Sequence, residues 1–327
     1  MKLKEAAIIT GFLLFASALS AQTLTEVIKE FNAGAESLKD QEYETALEHF
    51  NKSLEMSEVV GEEADDMKAK AQEQIPATYY RQAVNYMKRR QYEEAVPYLE
   101  KTVEFAEKYD NNEEIAAKAN KYLPPLYLRK GNMLIRQEKY EEAVETFDKA
   151  LAMDNDLYKV HQGKGLAYLK QEKIDKMIEE FDIAREKAKA ADDQDVIDDI
   201  NKAIDGYYRP IIEEERMMID PMEGDYTFLI DICDEAIEAN ETNGFAYFQA
   251  ASAYNKMVEY DSAIEYAERG LEYEQNPTIT SALYLELGKA YQNTAQYDKA
   301  CEAFKNVTDD QFLSSAKKNM ENVPGCE

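Results

Sequence analysis

One phrase recurs along this chain. Lys139–Leu151 reads KYEEAVETFDKAL, Gln91–Val103 reads QYEEAVPYLEKTV, and Gln296–Val307 reads QYDKACEAFKNV. Aligned on its aromatic or apolar first residue, the phrase starts at Tyr43, Tyr92, Tyr140, Ile174, Tyr226, Tyr260 and Tyr297. Steps of three, four and three residues then lead to apolar or small side chains, such as Ala143, Phe147 and Ala150 after Tyr140. Such steps put the side chains on one face of a helix. A second pattern runs ahead of the phrase: Tyr79, Ala83 and Tyr86 before Tyr92; Tyr127, Gly131 and Leu134 before Tyr140; Tyr284, Gly288 and Tyr291 before Tyr297. A small residue in the middle of that helix, and the alanine opposite it, let two helices approach closely without leaving voids. Each phrase therefore closes one helical pair, and a pair of this size buries its apolar face only against neighbouring pairs.

This layout resembles the tetratricopeptide repeat, a 34-residue helix–turn–helix unit. The best copy carries Tyr127, Gly131, Leu134, Tyr140, Ala143, Phe147 and Ala150. The resemblance implies an all-α, TPR-type α-solenoid of about seven helix–turn–helix units over residues 22–310. The first helix of the first unit, and that of the unit leading to Tyr226, depart from the pattern. Starts at Tyr140 and Ile174, and at Tyr226 and Tyr260, lie 34 residues apart, but three other intervals are longer by about 14 to 18 residues. Their extra segments (EEADDMKAKAQEQI, NEEIAAKANKYL and DDQDVIDDINKAI) are helix-prone and lead to Pro76, Pro124 and Pro210. Proline removes one helical hydrogen bond and clashes with the preceding turn. Elongated first helices, kinked or restarted at the proline, are expected. The last pair needs a cap, and residues 311–327 supply one: Phe312, Leu313, Ala316 and Met320 fall at helical spacing.

Residues 1–21 read as a secretory signal peptide: Lys2 and Lys4, an apolar run, then small residues. Cleavage after Ala21 is expected, with Ser20 the alternative. No cysteine follows the apolar run, which argues against a lipid anchor, and no later segment is long and apolar enough to span a membrane. The expected location is the periplasm or the outer-membrane periphery of a Gram-negative bacterium. The net charge of −28 repels nucleic-acid phosphates and anionic lipids, so protein or peptide partners are expected and nucleic acid is not. Of three cysteines in an exported chain, Cys301 and Cys326 are the candidate disulfide. Cys233 lies on an apolar stripe and reads as a buried thiol.

Nothing in the chain points to catalysis. It has two histidines, His49 and His161, without metal-ligand spacing, and no Gly-rich phosphate loop or nucleophile elbow. Acidic stretches such as Ala191–Asp199 lack the ligand order of a calcium loop. No enzyme activity, cofactor or metal is expected.

Charge is unevenly placed. First helices ahead of Tyr92, Tyr140 and Ile174–Ala188 carry formal charges of +4, +2 and +3, while their second helices carry −3, −2 and −2. In the tetratricopeptide family the first helices line the concave groove, which here implies a basic groove within an acidic protein. By that resemblance the groove residues are Tyr80, Arg81, Lys88, Leu128, Arg129, Asn132, Arg136, Lys159, Gln162 and Lys170. Guanidinium forks and amides suit an acidic segment or a C-terminal carboxylate. Leu128 and Gly163 stand where the family's carboxylate clamp has polar side chains, so the full clamp is absent. A second, more apolar groove is expected from Phe245, Phe248, Asn255 and Leu285. The expected function is a non-catalytic protein–protein interaction scaffold of the cell envelope. The alternatives are an accessory subunit of an outer-membrane assembly or secretion complex, and a structural spacer.

Overall fold

A computed structural model describes residues 23–110, 112–220 and 224–326; the signal segment lies outside them. The described residues are helical, with no strand among them. In chain order the helices are α1 (residues 23–39), α2 (Tyr43–Val60), α3 (Asp65–Lys88), α4 (Tyr92–Tyr109) and α5 (Glu113–Arg136). There follow α6 (Tyr140–Met153), α7 (Tyr158–Lys170), α8 (Ile174–Ala190), α9 (Gln194–Met218) and α10 (Thr227–Ala239). The chain ends with α11 (Gly244–Lys256), α12 (Tyr260–Tyr273), α13 (Pro277–Asn293), α14 (Tyr297–Lys305) and α15 (Asp310–Met320). This is the all-α, TPR-type solenoid architecture. The chain divides into two compact units, the first ending at Met177 and the second beginning at Ile178.

Six second helices begin on the residue that starts the repeated phrase, and α10 begins one residue later, with Tyr226 as its N-cap. The turn that starts α2, α4, α6, α8, α12 and α14 is the same each time. In the hairpin before Tyr140, the N–H of Lys139 donates to Leu134 O at 2.9 Å and Glu138 adopts a φ of 61°. Arg90, Glu172, Val258 and Ala295 take the same left-handed conformation two residues ahead of α4, α8, α12 and α14. This is the Schellman turn, which satisfies the orphan carbonyls of a helix end. It is made here without glycine. Acidic residues in the next first turn, such as Glu141 and Glu142, face the positive end of the helix dipole.

The core is built from the phrase's periodic face. Phe50, Leu99, Phe147, Phe181 and Phe304 are fully or almost fully buried, as are the small residues one turn either side of them. Phe147 shows how the pairs interlock. A Cβ on Gly131 of α5 would fall 2.3 Å from its ring, and one on Gly163 of α7 would fall 2.5 Å from it. The phenyl ring is held between the first helix of its own pair and the first helix of the next. In the second unit Gly288 of α13 makes the same close approach to Phe304 of α14.

The three long first helices run through their prolines. Pro76, Pro124 and Pro210 lie inside α3, α5 and α9, each assigned as one continuous helix. Restarting is therefore not what the chain does. Buried side chains stand on both sides of each proline: Ile75 and Tyr79, Leu123 and Tyr127, and Tyr208 and Ile212. Packing on both sides holds the helix together where one hydrogen bond is lost. At the other end of the chain, α15 caps the last pair: Ala316 and Val323 are buried, and Phe312 and Met320 pack against the same core. A disulfide joins Cys301 on α14 to Cys326 in the tail, while Cys233 is a buried free thiol.

Candidate functional site

The first helices of the first unit stand side by side, α3 touching α5 and α5 touching α7. On α3, Arg81 and Lys88 are exposed and Tyr80 is half-buried. They line a cleft of about 280 Å³ together with Tyr43, Val84 and Asn85. On α5, Arg129 and Arg136 are exposed, while Leu128 and Asn132 are half-buried. On α7, Lys159 and Lys170 are exposed and Gln162 is half-buried. The helices thus bring the expected residues onto three adjacent elements.

What distinguishes four of these cations is the lack of counter-charge. Among the described residues, Arg81, Lys88, Arg136 and Lys170 make no ion pair. Arg129 lies over the Tyr92 ring at 4.4 Å. Asn132 and Gln162 make no side-chain hydrogen bond among the described residues. Elsewhere in the same unit cations are matched: Lys52 meets Glu30 at 2.7 Å, Lys149 meets Glu100 at 3.3 Å, and Lys164 of α7 meets Asp148 at 2.9 Å. Hydrogen bonds from Lys52 and His49 hold the Glu30 carboxyl below its ordinary value. The Tyr127 hydroxyl donates at 2.6 Å to the same Glu100 carboxylate that Lys149 meets.

The second unit places the other expected residues differently. Leu285 and Phe245 are buried, and Phe248 is half-buried. Asn255 donates through Nδ2 to Glu286 O at 3.0 Å and to Glu286 Oε2 at 2.9 Å. Phe245 and Phe248 of this group line a cleft of about 370 Å³. Its other walls come from α9, α13 and α15, and the ring of Phe312 stands 6.3 Å from that of Phe248. Arg209 lies over Phe245 at 4.0 Å. Sequence reasoning named neither Arg209 nor Gln249 for this cleft. Arg209 falls in the degenerate first helix before Tyr226, where the repeat pattern gives no register.

A larger cleft of about 560 Å³ lies between α8, α9 and the end of α10. Arg185 crosses it, donating to Asp182 Oδ1 at 2.7 Å and to Ala239 O at 2.9 Å. Asn240 donates to Asp205 at 2.8 Å and accepts from Thr242. Burial raises the carboxyls of both Asp182 and Asp205 above their ordinary range. Among the described residues no group of histidine, cysteine, aspartate and glutamate side chains is arranged to hold a metal ion, and no helix is long and apolar enough to cross a membrane.

Comparison with known proteins finds repeats in both units. A family described as "TPR repeat" matches residues 131–172, and one described as "Tetratricopeptide repeat" matches residues 76–109, 246–277 and 281–309. No curated protein sequence matches the chain. Among solved structures, the TPR2AB-domain:pHSP90-complex of yeast Sti1 is 16% identical, with 91% of this chain and 95% of that chain covered and a TM-score of 0.38. YrrB, described as a TPR protein with an unusual peptide-binding site, is 20% identical over 59% of this chain and 91% of its own, with a TM-score of 0.28. MamA is 20% identical over 58% of this chain and 96% of its own, with a TM-score of 0.27.

Proposed function

The chain carries tetratricopeptide repeats, whose fold serves protein–protein interaction, and from this we propose a non-catalytic scaffold that holds an acidic segment of a partner protein on the first helices of its first unit. One observation carries the reading. Exposed Arg81, Lys88, Arg136 and Lys170 have no ion pair among the described residues, although the protein has 66 acidic side chains to offer. A cation kept away from a surplus of carboxylates is available to an outside one. Arg129 and Arg136 are separated by two helical turns on α5, a spacing that suits successive carboxylates of an extended segment. Asn132 lies between them with its amide unbonded. The layout of residues 1–21 supports export, and the proposed location is the periplasm or outer-membrane periphery of a Gram-negative cell.

The test uses the full chain and a fluorescent peptide of alternating Glu and Asp, with a Gln/Asn peptide as control. Anisotropy should show binding of the acidic peptide alone. Arg129→Ala with Arg136→Ala should weaken it at least about tenfold, as expected for losing charge-assisted contacts of roughly 1.5–3 kcal/mol each. Raising NaCl from about 50 to 300 mM should weaken it too, because the Debye length shortens. Unchanged affinity in the double variant removes the basic face from the function. N-terminal sequencing of protein recovered from the envelope fraction should begin at Gln22 or Ala21; a chain that still begins at Met1 refutes the export reading.

A further inference from the structure

The tip of the α9–α10 hairpin in the second unit presents apolar side chains to solvent. Met217 and Met218, the last residues of α9, are 73% and 69% exposed, and Phe228, in the first turn of α10, is 60% exposed. The two helices pack against each other, so the end of one and the start of the other meet at one edge of the unit. Short turns bring the α11–α12 and α13–α14 connections to the same edge, where Val258 and Tyr297 are exposed too. This edge lies at the helix ends, apart from the inner face that the first helices line. The first unit lacks the feature: its turns hold Gln41, Arg90, Glu138 and Glu172 in the left-handed position, where the second has Val258 and Ala295. Val258 stays apolar and outward in a backbone conformation that strains a β-branched residue. Such strain without burial contributes nothing to the fold and marks a surface with another use.

The charge around these side chains selects the partner. Residues 213–231 carry seven carboxylates and one guanidinium. Glu214 and Glu215 make no ion pair among the described residues, and they stand near the C-terminal end of α9, where the helix dipole disfavours negative charge. Glu259, beside Val258, is exposed and also without an ion pair among the described residues. We propose that this edge docks a basic amphipathic helix of a partner protein, which lays its apolar face on Met217, Met218 and Phe228 and sets its lysines or arginines against Glu214, Glu215 and Glu259. Methionine suits such a surface, because its flexible, polarizable side chain adapts to the helix laid on it. A second copy of this chain would bring 28 further negative charges to the contact, and an anionic membrane would repel the edge. The ligand is opposite in charge to the acidic segment proposed for the first unit, so the edge stands or falls separately from that reading. Together the two surfaces give the scaffold two unlike partners.

The test uses the full chain and a fluorescent Leu/Lys peptide of about 18 residues, with its leucines on one helical face and a length of roughly 27 Å as a helix. The controls are the same residues in scrambled order and a Leu/Glu peptide of the same pattern. Anisotropy should show the amphipathic Leu/Lys peptide binding at least about tenfold more tightly than either control. Met217→Ser, Met218→Ser and Phe228→Ser together should reduce it to the level of the scrambled peptide, with the melting temperature and the affinity for the acidic probe unchanged. Glu214→Gln with Glu215→Gln should weaken it too and flatten its dependence on NaCl. Equal binding of the scrambled peptide, or unchanged binding in the triple variant, overturns the proposal. So does a lowered melting temperature in that variant, which would assign the three side chains to the fold. Sedimentation velocity and flotation with neutral phosphatidylcholine vesicles check the other occupants. Self-association or vesicle binding that the triple variant abolishes would put a second copy or a lipid surface on the edge instead.

Discussion

Phe147 condenses the logic of the repeat into one side chain. It is fully buried, and the two residues closest to its ring edges have no side chains at all. Glycine at 131 and 163 is a packing requirement there, because any Cβ would displace the ring. Residue-scale cost also sits in the turns. Val258 holds a φ of 66° and is 65% exposed, so its β-branched side chain is strained while burying little. Left-handed backbone costs an ordinary residue roughly 1–2 kcal/mol, and a β-branched one is a true outlier. Val258→Gly should therefore stabilise the second unit by about 1 kcal/mol, read as a rise in the urea midpoint without change of slope. A lower midpoint would mean that Val258 contributes packing the strain argument omits. The Ala–Phe–Ala faces were legible in the sequence because burial repeats with the helical period. The left-handed turns were not, since residues as different as Arg90, Glu138 and Ala295 fill the same position.

At the scale of elements, the long first helices and the cap extend the repeat beyond its standard length. Lengths of 24 to 25 residues in α3, α5 and α9 were readable from the helix-prone insertions. Continuity through the prolines was not, because it depends on burial of Ile75, Leu123 and Ile212 by other helices. The cap is held by buried Ala316 and Val323 and by the Cys301–Cys326 bond, which spans 25 residues of sequence. Closing a loop of that length removes chain entropy worth about 3 kcal/mol from the unfolded state. Cys326→Ser should lower stability by roughly that amount, and hydrogen exchange should show α15 losing protection first. Protection of α15 equal to that of the bonded protein would show that packing alone seats the cap.

Over the whole molecule, charge works in two opposite senses. A net charge of −28 opposes compaction through self-repulsion, while the cations of α3, α5 and α7 sit as a local exception. Added NaCl screens both. The melting temperature should rise between about 20 and 200 mM NaCl, while binding of the acidic probe falls over the same range. Two observables moving in opposite directions with one variable separate global repulsion from local attraction. A melting temperature that falls with salt would mean that the internal ion pairs outweigh the net charge.

The sequence alone determined where each helical pair begins, which face of each second helix is buried, and that a capping helix follows the last pair. All of these depend on periodicity, a property of the chain's own spacing at 3.6 residues per turn. The tertiary structure decided which polar groups find partners. Lys164 and Arg136 both lie on first helices, yet Lys164 reaches Asp148 while Arg136 meets no carboxylate among the described residues. Leu285 is buried at a position the repeat pattern assigned to a groove, and Asn255, assigned there too, bonds Glu286 instead. Such outcomes depend on which side chains of different helices come within about 3–4 Å of each other, and no spacing along a single chain encodes that distance.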